Sequence, residues 1–452
     1  MIGWLDDRLG TSHWARTGLR KVFPDHWSFL LGEVALSCLI ILVLTGVFLT
    51  LFYVPDATPV VYEGPYVPLQ GSEVSAAYRS VLELSFEVRA GLVMRQVHHW
   101  AALVFVAAIV LHMARVFFTG AFRNPREINW LVGIGLLLMA LAMGLTGYSL
   151  PDDLLSGTGL RIVYSVALSI PFIGPGLAFL LFGGEYPAEA MISRLFVFHI
   201  MLLPAILIGA VLVHLAILWR QKHTQFAGPG RTERNVVGKP FWPSQVLKSF
   251  GLFMLTAAIL ALMGGIFQIN PVWVFGPYDA TQVSAPSQPD WYMGWLDGAL
   301  RLFPPIEFTV LGVTIPKPFL AGIVIPGIVF TAITFWPFVE ARLTGDRGEH
   351  HLLDRPRDRP MRTAVGVGGL VFFILLTLAA GNDVAAVIFA VSVEETTRAL
   401  QLGILLLPFV SGFVTHRVCL ELQRREAAGA GATGVVRLRR TPDGGWEEDA
   451  GG

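Results

Sequence analysis

The sequence predicts an all-α membrane protein with eight transmembrane helices. Of its 452 residues, 54% are hydrophobic and only 15% are charged, which is less charge than soluble domains carry. The apolar stretches are continuous and not alternating, which indicates helices and not the strands of a barrel. Stretches of about eighteen residues or more, long enough to cross a bilayer, recur at 28–53, 94–119, 130–150, 195–219, 246–268, 318–340, 364–381 and 398–418.

The basic residues are divided unevenly between the two sides of the predicted membrane domain. If the amino terminus lies inside, 25 of the 33 Lys and Arg fall at the termini and in the second, fourth and sixth loops, and 8 fall on the other side. Cytoplasmic loops are enriched in Lys and Arg, so we predict that both termini are cytoplasmic. The first 27 residues are polar and mixed, unlike a cleavable signal peptide.

Composition divides the chain into five parts. Residues 1–27 read as an amphipathic segment on the cytoplasmic membrane surface, or as an ordinary basic anchor. Residues 28–220 form a predicted four-helix bundle, and the basic cytoplasmic loop 221–245 separates it from a second four-helix part at 246–420. A tail rich in Gly, Ala and Arg occupies 421–452. The two four-helix parts share no repeat, which argues against a transporter built from inverted halves.

Four histidines lie inside two of the predicted helices. His98 and His112 are fourteen residues apart in the second helix, and His199 and His214 are fifteen apart in the fourth. At about 100° and about 1.5 Å per residue, fourteen residues return to nearly the same face about 21 Å along the axis. Ionisable groups within a membrane are costly and are functional candidates. Two antiparallel helices can therefore hold two bis-histidine haems, a ligation that favours electron transfer.

Two glycine pairs have the same spacing as the histidines. Gly32 and Gly46 are fourteen apart in the first helix, and Gly133 and Gly147 are fourteen apart in the third. A single membrane glycine usually serves helix–helix packing. Two matched pairs would also let these helices approach two flat macrocycles closely.

Three arginines flank the histidines and are candidates to bind the carboxylates of a cofactor: Arg95, Arg115 and Arg194. Snorkelling to the interface is the alternative, and it suits Arg115 better than the two arginines on the outer side. His99 is rotated by one residue from His98, so we expect it to face a neighbour or a propionate and not to be a metal ligand.

Two outer loops carry further candidates. The loop that begins GYSLPDDLLSGTGLR is predicted to form a short helix along the outer surface. The loop from Asn270 to about Lys317 contains SQPDWYMGWLDGALRLFPP, in which aromatic residues surround a carboxylate. Such a loop can line a pocket for an aromatic, lipid-soluble ligand, or form an interfacial aromatic belt.

Together these motifs resemble the cytochrome b subunit of quinol:cytochrome c oxidoreductases, the cytochrome bc complexes. The resemblance covers roughly 20–420 and rests on R-x-x-H-(x13)-H-x-x-R at 95–115, H-(x14)-H at 199–214, the glycine pairs, Gly147-Tyr148-x-Leu150-Pro151 and Pro289-Asp290-Trp291-Tyr292. QKHTQFAGPGRTERNVVG, GGIFQINPVWVFGPY and VSAPSQPDWY resemble the actinobacterial branch, which uses menaquinol. Asp290 departs from the wider family, in which Glu is more common at this position. The spacing of fifteen in the fourth helix departs from the fourteen of mitochondrial members, and we expect rotation of the helix to absorb the extra residue.

The resemblance implies two b-type haems and electron transfer across a bacterial cell membrane. A low-potential outer haem would be held by His98 and His199, and a high-potential inner haem by His112 and His214. Menaquinol would be oxidised outside by a catalytic trio, with Asp290 as proton acceptor, directly or through water, beside Tyr292 and Tyr148. The implied quinol site comprises Tyr148, Gly159, Pro289, Asp290, Trp291 and Tyr292.

The resemblance also implies the surroundings of the chain. Expected partners are a Rieske iron–sulfur subunit, a dihaem cytochrome c subunit, membrane lipid, a second copy of the complex, and a haem-copper oxidase in a supercomplex, with no nucleic acid. Electrons would reach a cytoplasmic-side quinone, coupled to proton translocation. For that quinone site the candidates are Arg220, Lys222 and His223.

Two other functions are compatible with buried histidines. A haem-bearing anchor for a dehydrogenase or reductase would lack quinol oxidation of its own, and the PDWY loop argues against it. A transporter that relays protons through histidines would be colourless, and the matched histidine spacing on two helices would then be coincidence.

Overall fold

The computed structural model describes residues 2–9, 17–282, 288–429, 438–440 and 446–448. Within these residues, eight helices are long and apolar enough to cross a membrane, which confirms the predicted fold class. We number only these membrane-spanning helices, in chain order: α1 (Trp27–Thr50), α2 (Gly91–Phe118), α3 (Glu127–Tyr148), α4 (Ala190–Gln221), α5 (Phe241–Ile266), α6 (Lys317–Thr344), α7 (Pro360–Ala379) and α8 (Val393–Ala428).

Several helices extend beyond the apolar stretches that predicted them. The apolar stretch 398–418 lies inside α8, whose last turns are polar and carry an ion pair between Arg425 and Glu421. Hydropathy marks only the apolar part of a helix, which lies in the hydrocarbon core of the membrane. The helical hydrogen bonds continue beyond it into the polar interface, so the helix is longer than its apolar stretch. The predicted tail therefore begins inside α8.

Shorter elements connect the membrane helices. The short helices are Ile2–Leu9, Ala76–Phe86, Leu154–Leu168, Gly174–Phe182, Val272–Phe275, Trp291–Leu302 and Asn382–Phe389. The antiparallel strand pairs are Val22–Phe23 with Lys239–Pro240, Pro59–Val61 with Glu73–Ser75, Phe308–Val310 with Val313–Ile315, and Leu438–Arg440 with Trp446–Glu448; Gln225–Phe226 and Leu352–Leu353 pair in parallel. Parts of three predicted segments lie outside the described residues. These are 10–16 of the amino-terminal segment 1–27, 283–287 of the loop that begins at Asn270, and most of the tail beyond 429.

Helices α1 to α4 pack together as the predicted bundle. Its core combines small residues, such as Cys38 on α1 and Ala101 on α2, with larger ones, such as Leu207 on α4. Small residues allow membrane helices to approach closely. Helix α5 joins this bundle, because a Cβ atom at Gly264 would lie 2.6 Å from Val97 Cγ2 on α2.

The second part of the chain supports the outer loop. The helix Trp291–Leu302 packs on α7, where a Cβ atom at Gly298 would overlap the Leu376 carbonyl. At the other end of α7 the buried Arg362 pairs with Glu340 of α6 and, at 2.8 Å, with Asp354. The helix Trp291–Leu302 therefore packs against the carboxy-terminal end of α7, and the ion pairs of Arg362 join the other end of α7 to α6.

Candidate functional site

The four membrane histidines face one another in two pairs between α2 and α4. The ring centroids of His98 and His199 are 6.3 Å apart, with the ring planes at 71°. Those of His112 and His214 are 6.5 Å apart, with the planes at 76°. A metal between two imidazole nitrogens, at about 2 Å from each, fits such a separation. The structure thus brings together the predicted partners, one pair towards each end of the two helices. His98 and His199 lie towards the amino-terminal ends of α2 and α4, and His112 and His214 towards their carboxy-terminal ends. The two helices therefore run parallel, and the expectation that they are antiparallel was wrong.

Threonine hydroxyls contact the outer pair, a feature that the sequence reasoning did not single out. Thr45 Oγ1 lies 2.8 Å from His98 Nδ1, and Thr146 Oγ1 lies 3.2 Å from His199 Nδ1. Both threonines come directly before an outer glycine of the predicted pairs. The repeated Thr-Gly dipeptide in α1 and α3 was the available signal. With Nδ1 engaged, Nε2 of each ring is the nitrogen left for a metal.

The four predicted glycines lie against the histidine rings themselves. An added Cβ atom would lie 3.3 Å from His112 Cε1 at Gly32, 3.3 Å from His98 Cε1 at Gly46, 3.9 Å from His214 Cε1 at Gly133 and 2.5 Å from His199 Cε1 at Gly147. Each glycine therefore leaves room for an imidazole ring between α2 or α4 and its neighbour. The space is tightest at Gly147 and loosest at Gly133.

A π-helical turn accounts for the extra residue between His199 and His214. This turn, Phe198–Leu202, contains His199, and the Leu203 amide donates to the carbonyl of Phe198, five residues back. The turn is followed by Pro204, which has no amide hydrogen for the usual bond. A π turn holds one residue more than an α turn, so the extra residue is absorbed there and not by the rotation of a regular helix that we expected.

The three predicted arginines have different surroundings. Arg115 lies over the Phe29 ring at 4.3 Å, and its buried Nε and Nη2 atoms have no hydrogen-bond partner among the described residues. Arg95 donates from Nη2 to the Asn270 carbonyl at 2.9 Å, and its buried Nε lacks a partner there too. Arg194 donates to the carbonyls of Phe179 and Leu180. Arg115 and Arg95 therefore retain donors for a ligand carboxylate, while Arg194 caps the helix Gly174–Phe182.

Asp290 lies at the centre of a polar cluster near the amino-terminal end of α2, the end that the sequence predicts to be on the outer side. Its carboxylate accepts hydrogen bonds from His99 Nε2, at 3.0 and 2.9 Å, and from the Tyr292 hydroxyl at 3.1 Å. Burial, then the Asp290 carboxylate, raises the pKa of Tyr292 well above its usual value, so Tyr292 keeps its proton and donates. His99 thus faces a neighbour, one of the two alternatives that the sequence left open.

The remaining residues of the predicted quinol site lie around this cluster. Tyr148 ends α3 close enough to Asp290 for electrostatic interaction, and a Cβ atom at Gly159 would lie 3.4 Å from Tyr148 Cε1. Pro289 is half-buried next to Asp290, whereas Trp291 is 43% exposed and its ring centroid lies 6.1 Å from that of Tyr292.

The helix Leu154–Leu168 and the segment after Val272–Phe275 close the outer side. The Asp153 carboxylate caps this helix by accepting from the Ser156 amide at 3.0 Å, and burial raises the pKa of Asp153. The Tyr278 amide donates to the Asp152 carbonyl at 3.0 Å. A cavity of about 600 Å³ lies on this helix beside Arg161, Tyr164 and Tyr186, away from Asp290.

Comparisons with known proteins agree with this geometry. The family model described as "Cytochrome b(N-terminal)/b6/petB" matches residues 103–277. The cytochrome bc1 complex cytochrome b subunit of Mycobacterium tuberculosis is 50% identical over 448 residues, which cover 98% of this chain and 81% of that protein. The chain belongs to the cytochrome b family of bc1-type complexes.

Two further relatives have the same description. The cytochrome bc1 complex cytochrome b subunit of Corynebacterium diphtheriae is 48% identical, covering 96% of this chain and 81% of that protein. That of Streptomyces coelicolor is 49% identical, covering 94% and 78%. A solved structure titled "Hyperthermophilic respiratory Complex III" has a TM-score of 0.66 at 19% identity, covers 92% of this chain and 99% of that chain, and shares the fold.

Membership of the cytochrome b family implies binding of b-type haem. The residues of this chain fit that group. Each histidine pair places two imidazole rings at a separation that can hold one iron between them, and the unpartnered nitrogens of Arg115 can bind a carboxylate beside the inner pair.

His223, one of the three candidates for an inner quinone site, follows the carboxy-terminal end of α4 and lies in a second polar cluster with Lys21, Arg115 and Arg126. His223 is half-buried, its ring centroid lies 4.1 Å from that of Phe23, and its Nε2 has no partner among the described residues. Burial, then Lys21, Arg126 and Arg115, lowers the pKa of His223 to about 4. Arg220 and Lys222 are exposed. Of the three candidates, only His223 is sheltered from solvent.

Proposed function

We propose that this chain is the dihaem subunit of a respiratory cytochrome bc complex. It oxidises menaquinol at its outer side and passes electrons to a Rieske iron–sulfur partner and, across the membrane, to a quinone at the cytoplasmic side, coupled to proton translocation. The observation that carries the proposal is the presence of two opposed histidine pairs at two depths of α2 and α4, with the Asp290 cluster next to the outer one.

The histidines are the residues that would hold the haems. His98 and His199 would hold the outer, low-potential haem, and His112 and His214 would hold the inner, high-potential one. When bound, two b-type haems supply iron centres that accept and release single electrons. With two histidines for each iron, the sites would favour electron transfer over oxygen chemistry. Fourteen helical residues separate the two stations by about 21 Å.

The Asp290 cluster has the role of proton acceptor for the quinol. A carboxylate has about four lone-pair sites, and His99 and Tyr292 use only some of them. Asp290 can therefore accept a quinol proton directly or through a bridging water. Tyr148 and Tyr292 supply aromatic faces and hydroxyls beside the quinol ring.

The relatives support the proposed complex, and the charge distribution supports its orientation. Both termini and the 221–245 loop are placed in the cytoplasm of a bacterial cell, because cytoplasmic loops are enriched in Lys and Arg and this side of the membrane domain carries 25 of the 33 basic residues. The relatives named above are subunits of bc1 complexes. The partners of this chain are accordingly a Rieske subunit, a dihaem cytochrome c subunit and a second copy of the complex, with a haem-copper oxidase in a supercomplex.

A redox titration of the purified complex, with haem quantified per chain, tests this function. Two b-type centres that titrate separately are expected. His98→Ala should remove the outer centre and His112→Ala the inner one, while the control His416→Ala on α8 keeps both. Retention of two b-type centres by both His98→Ala and His112→Ala would contradict the proposal.

A further inference from the structure

The Thr45 hydroxyl contacts Nδ1 of His98 and favours one tautomer of its ring. Thr45 Oγ1 lies 2.7 Å from the Ile41 carbonyl, 3.3 Å from the Leu42 carbonyl and 2.8 Å from His98 Nδ1. A carbonyl can only accept, so the single hydroxyl hydrogen points to the helix backbone. The oxygen then accepts from Nδ1–H. His98 is therefore held in the tautomer whose Nε2 lone pair is free.

Thr146 repeats this arrangement on α3. Its Oγ1 lies 2.9 Å from the Ala142 carbonyl, 3.1 Å from the Met143 carbonyl and 3.2 Å from His199 Nδ1. Both threonines are buried, at 5% and 8% exposure, and each is 53 residues from its histidine. Two helices thus supply the same contact to the two ligands of one site.

The inner pair has no such contact. Leu31 and Val132 stand before the inner glycines, where Thr45 and Thr146 stand before the outer ones. The Nδ1 atoms of His112 and His214 have no hydrogen-bond partner within the described part of the chain. A backbone carbonyl interacts with three of the four rings, that of Leu42 with His98, of Met143 with His199 and of Asn129 with His214. The hydroxyl contact therefore distinguishes the two pairs, and the carbonyl contact does not. The same chain therefore contains one histidine pair with hydroxyl acceptors and one without.

We propose that Thr45 and Thr146 are positioning residues that lower the redox potential of the outer site relative to the inner site. A hydrogen bond from Nδ1–H makes the imidazole a more basic ligand. A more basic axial ligand favours the more highly charged, oxidised iron, and second-shell hydrogen bonding is one of the ways in which a protein tunes haem potential. The inference rests on the proposed function, because it requires haem at both histidine pairs.

As a consequence, residues of α1 and α3 favour electron transfer from the outer site to the inner site. A lower potential at the outer site makes transfer to the inner site favourable. Because the hydroxyl hydrogens are committed to backbone carbonyls, the threonines can act only as acceptors towards the histidines. Serine can make the same bonds, whereas valine has a similar shape and cannot.

The test is a redox titration of the assembled complex, followed optically and by electron paramagnetic resonance. We compare the wild type with Thr45→Val, Thr146→Val, the double variant and Thr45→Ser. The outer midpoint should move upwards in both valine variants, more in Thr45→Val because its bond to histidine is shorter, and most in the double variant. The inner midpoint should stay in place, and Thr45→Ser should keep the wild-type value.

Thr334→Val is the matched control. Thr334 Oγ1 donates to the carbonyl of Phe330, four residues back in α6, so this change removes a comparable hydroxyl from another membrane helix. The control should leave both midpoints unchanged. An upward shift of the outer midpoint alone, absent in the control, would support the proposal.

Three outcomes would overturn the inference. One is an unchanged outer midpoint in the double variant with both haems bound. Another is an equal shift of both midpoints, or the same shift in Thr334→Val. If the double variant loses the outer haem, single variants that keep it with an unchanged midpoint would also overturn the inference. A wild-type complex without two b-type centres would instead overturn the proposed function.

Discussion

His99 Nε2 lies 2.9 Å from Asp290 Oδ2, and the two side chains are largely buried. His99 directly follows His98 in α2, and one helical step rotates a side chain by about 100°. The helix therefore directs one histidine towards the outer histidine pair and the next towards the carboxylate of the predicted quinol site. Any tilt of this turn of α2 would move both sites together.

Replacing Asp290 should slow quinol oxidation without loss of haem. Asp290→Asn keeps the shape of the side chain and removes its negative charge, so the proton acceptor is lost. General base catalysis contributes typically about 10²–10⁴-fold, and we expect a loss of about 100-fold or more. The measurement is the quinol oxidation rate of the assembled complex. Asp279→Asn, in an exposed turn of the same loop, is the control. A normal rate for Asp290→Asn would favour the haem-bearing anchor.

Neighbouring histidines of α2 should give different results on substitution. His99→Ala removes a donor to the Asp290 carboxylate, and a hydrogen bond to a charged group is worth about 1.5–3 kcal/mol. We expect quinol oxidation to fall about tenfold while two haems remain bound. His98→Ala should lose the outer haem. The two measurements are haem content and oxidation rate in the same preparations, and loss of haem from His99→Ala would assign it a ligand role.

The two glycines facing His199 and His214 should tolerate a methyl group differently. A Cβ atom at position 147 would lie 2.5 Å from His199 Cε1, whereas one at position 133 would lie 3.9 Å from His214 Cε1. Overpacking costs typically about 1–3 kcal/mol. Gly147→Ala should lower the occupancy of the outer haem, and Gly133→Ala should leave the inner haem bound. Haem quantification with redox titration checks both, and equal effects would contradict the packing argument.

The stability of the chain should fall as the pH decreases from about 6.5 towards 4. The pKa of His223 is lowered from 6.5 to about 4 in the folded chain, so in this window the unfolded state binds a proton that the folded state does not. Linkage then removes up to about 3 kcal/mol of unfolding free energy at the acid end. His26 and His351, whose pKa values are also lowered by burial, act in the same direction.

Thermal unfolding of the detergent-solubilised complex at pH 7 and pH 5 measures this effect. His223→Gln should reduce the difference between the two pH values without abolishing it, because His26 and His351 remain. His416→Gln is the control and should behave as the wild type. If His223→Gln showed the same difference in thermal stability between pH 7 and pH 5 as the wild type, His223 would not contribute to the pH dependence of stability.

The histidine pairing was predictable because it depends on one regular property of helices. A spacing of fourteen residues keeps two side chains on one face of an α-helix, so two histidine positions on each helix followed from the chain alone. Which histidine of α4 meets His98 depends on the relative direction of the two helices, and the family resemblance and not the spacing supplied that pairing. The π turn at Phe198–Leu202 was not predictable in this way. Periodicity treats every turn as equal, although Pro204 pointed to a local departure from regular hydrogen bonding.

The sequence by itself determined the membrane class, the eight helices, the four histidines and the two glycine pairs with matching spacing. Hydropathy and helical period are local properties, which is why they can be read from the sequence. Only the tertiary structure decided that His99 contacts Asp290, 191 residues away, and that hydroxyls of α1 and α3 meet the outer histidines and not the inner ones. Contacts of this kind depend on how long loops return and how neighbouring helices are rotated. Those choices are made by packing and hydrogen bonding over the whole chain, and local pattern does not contain them.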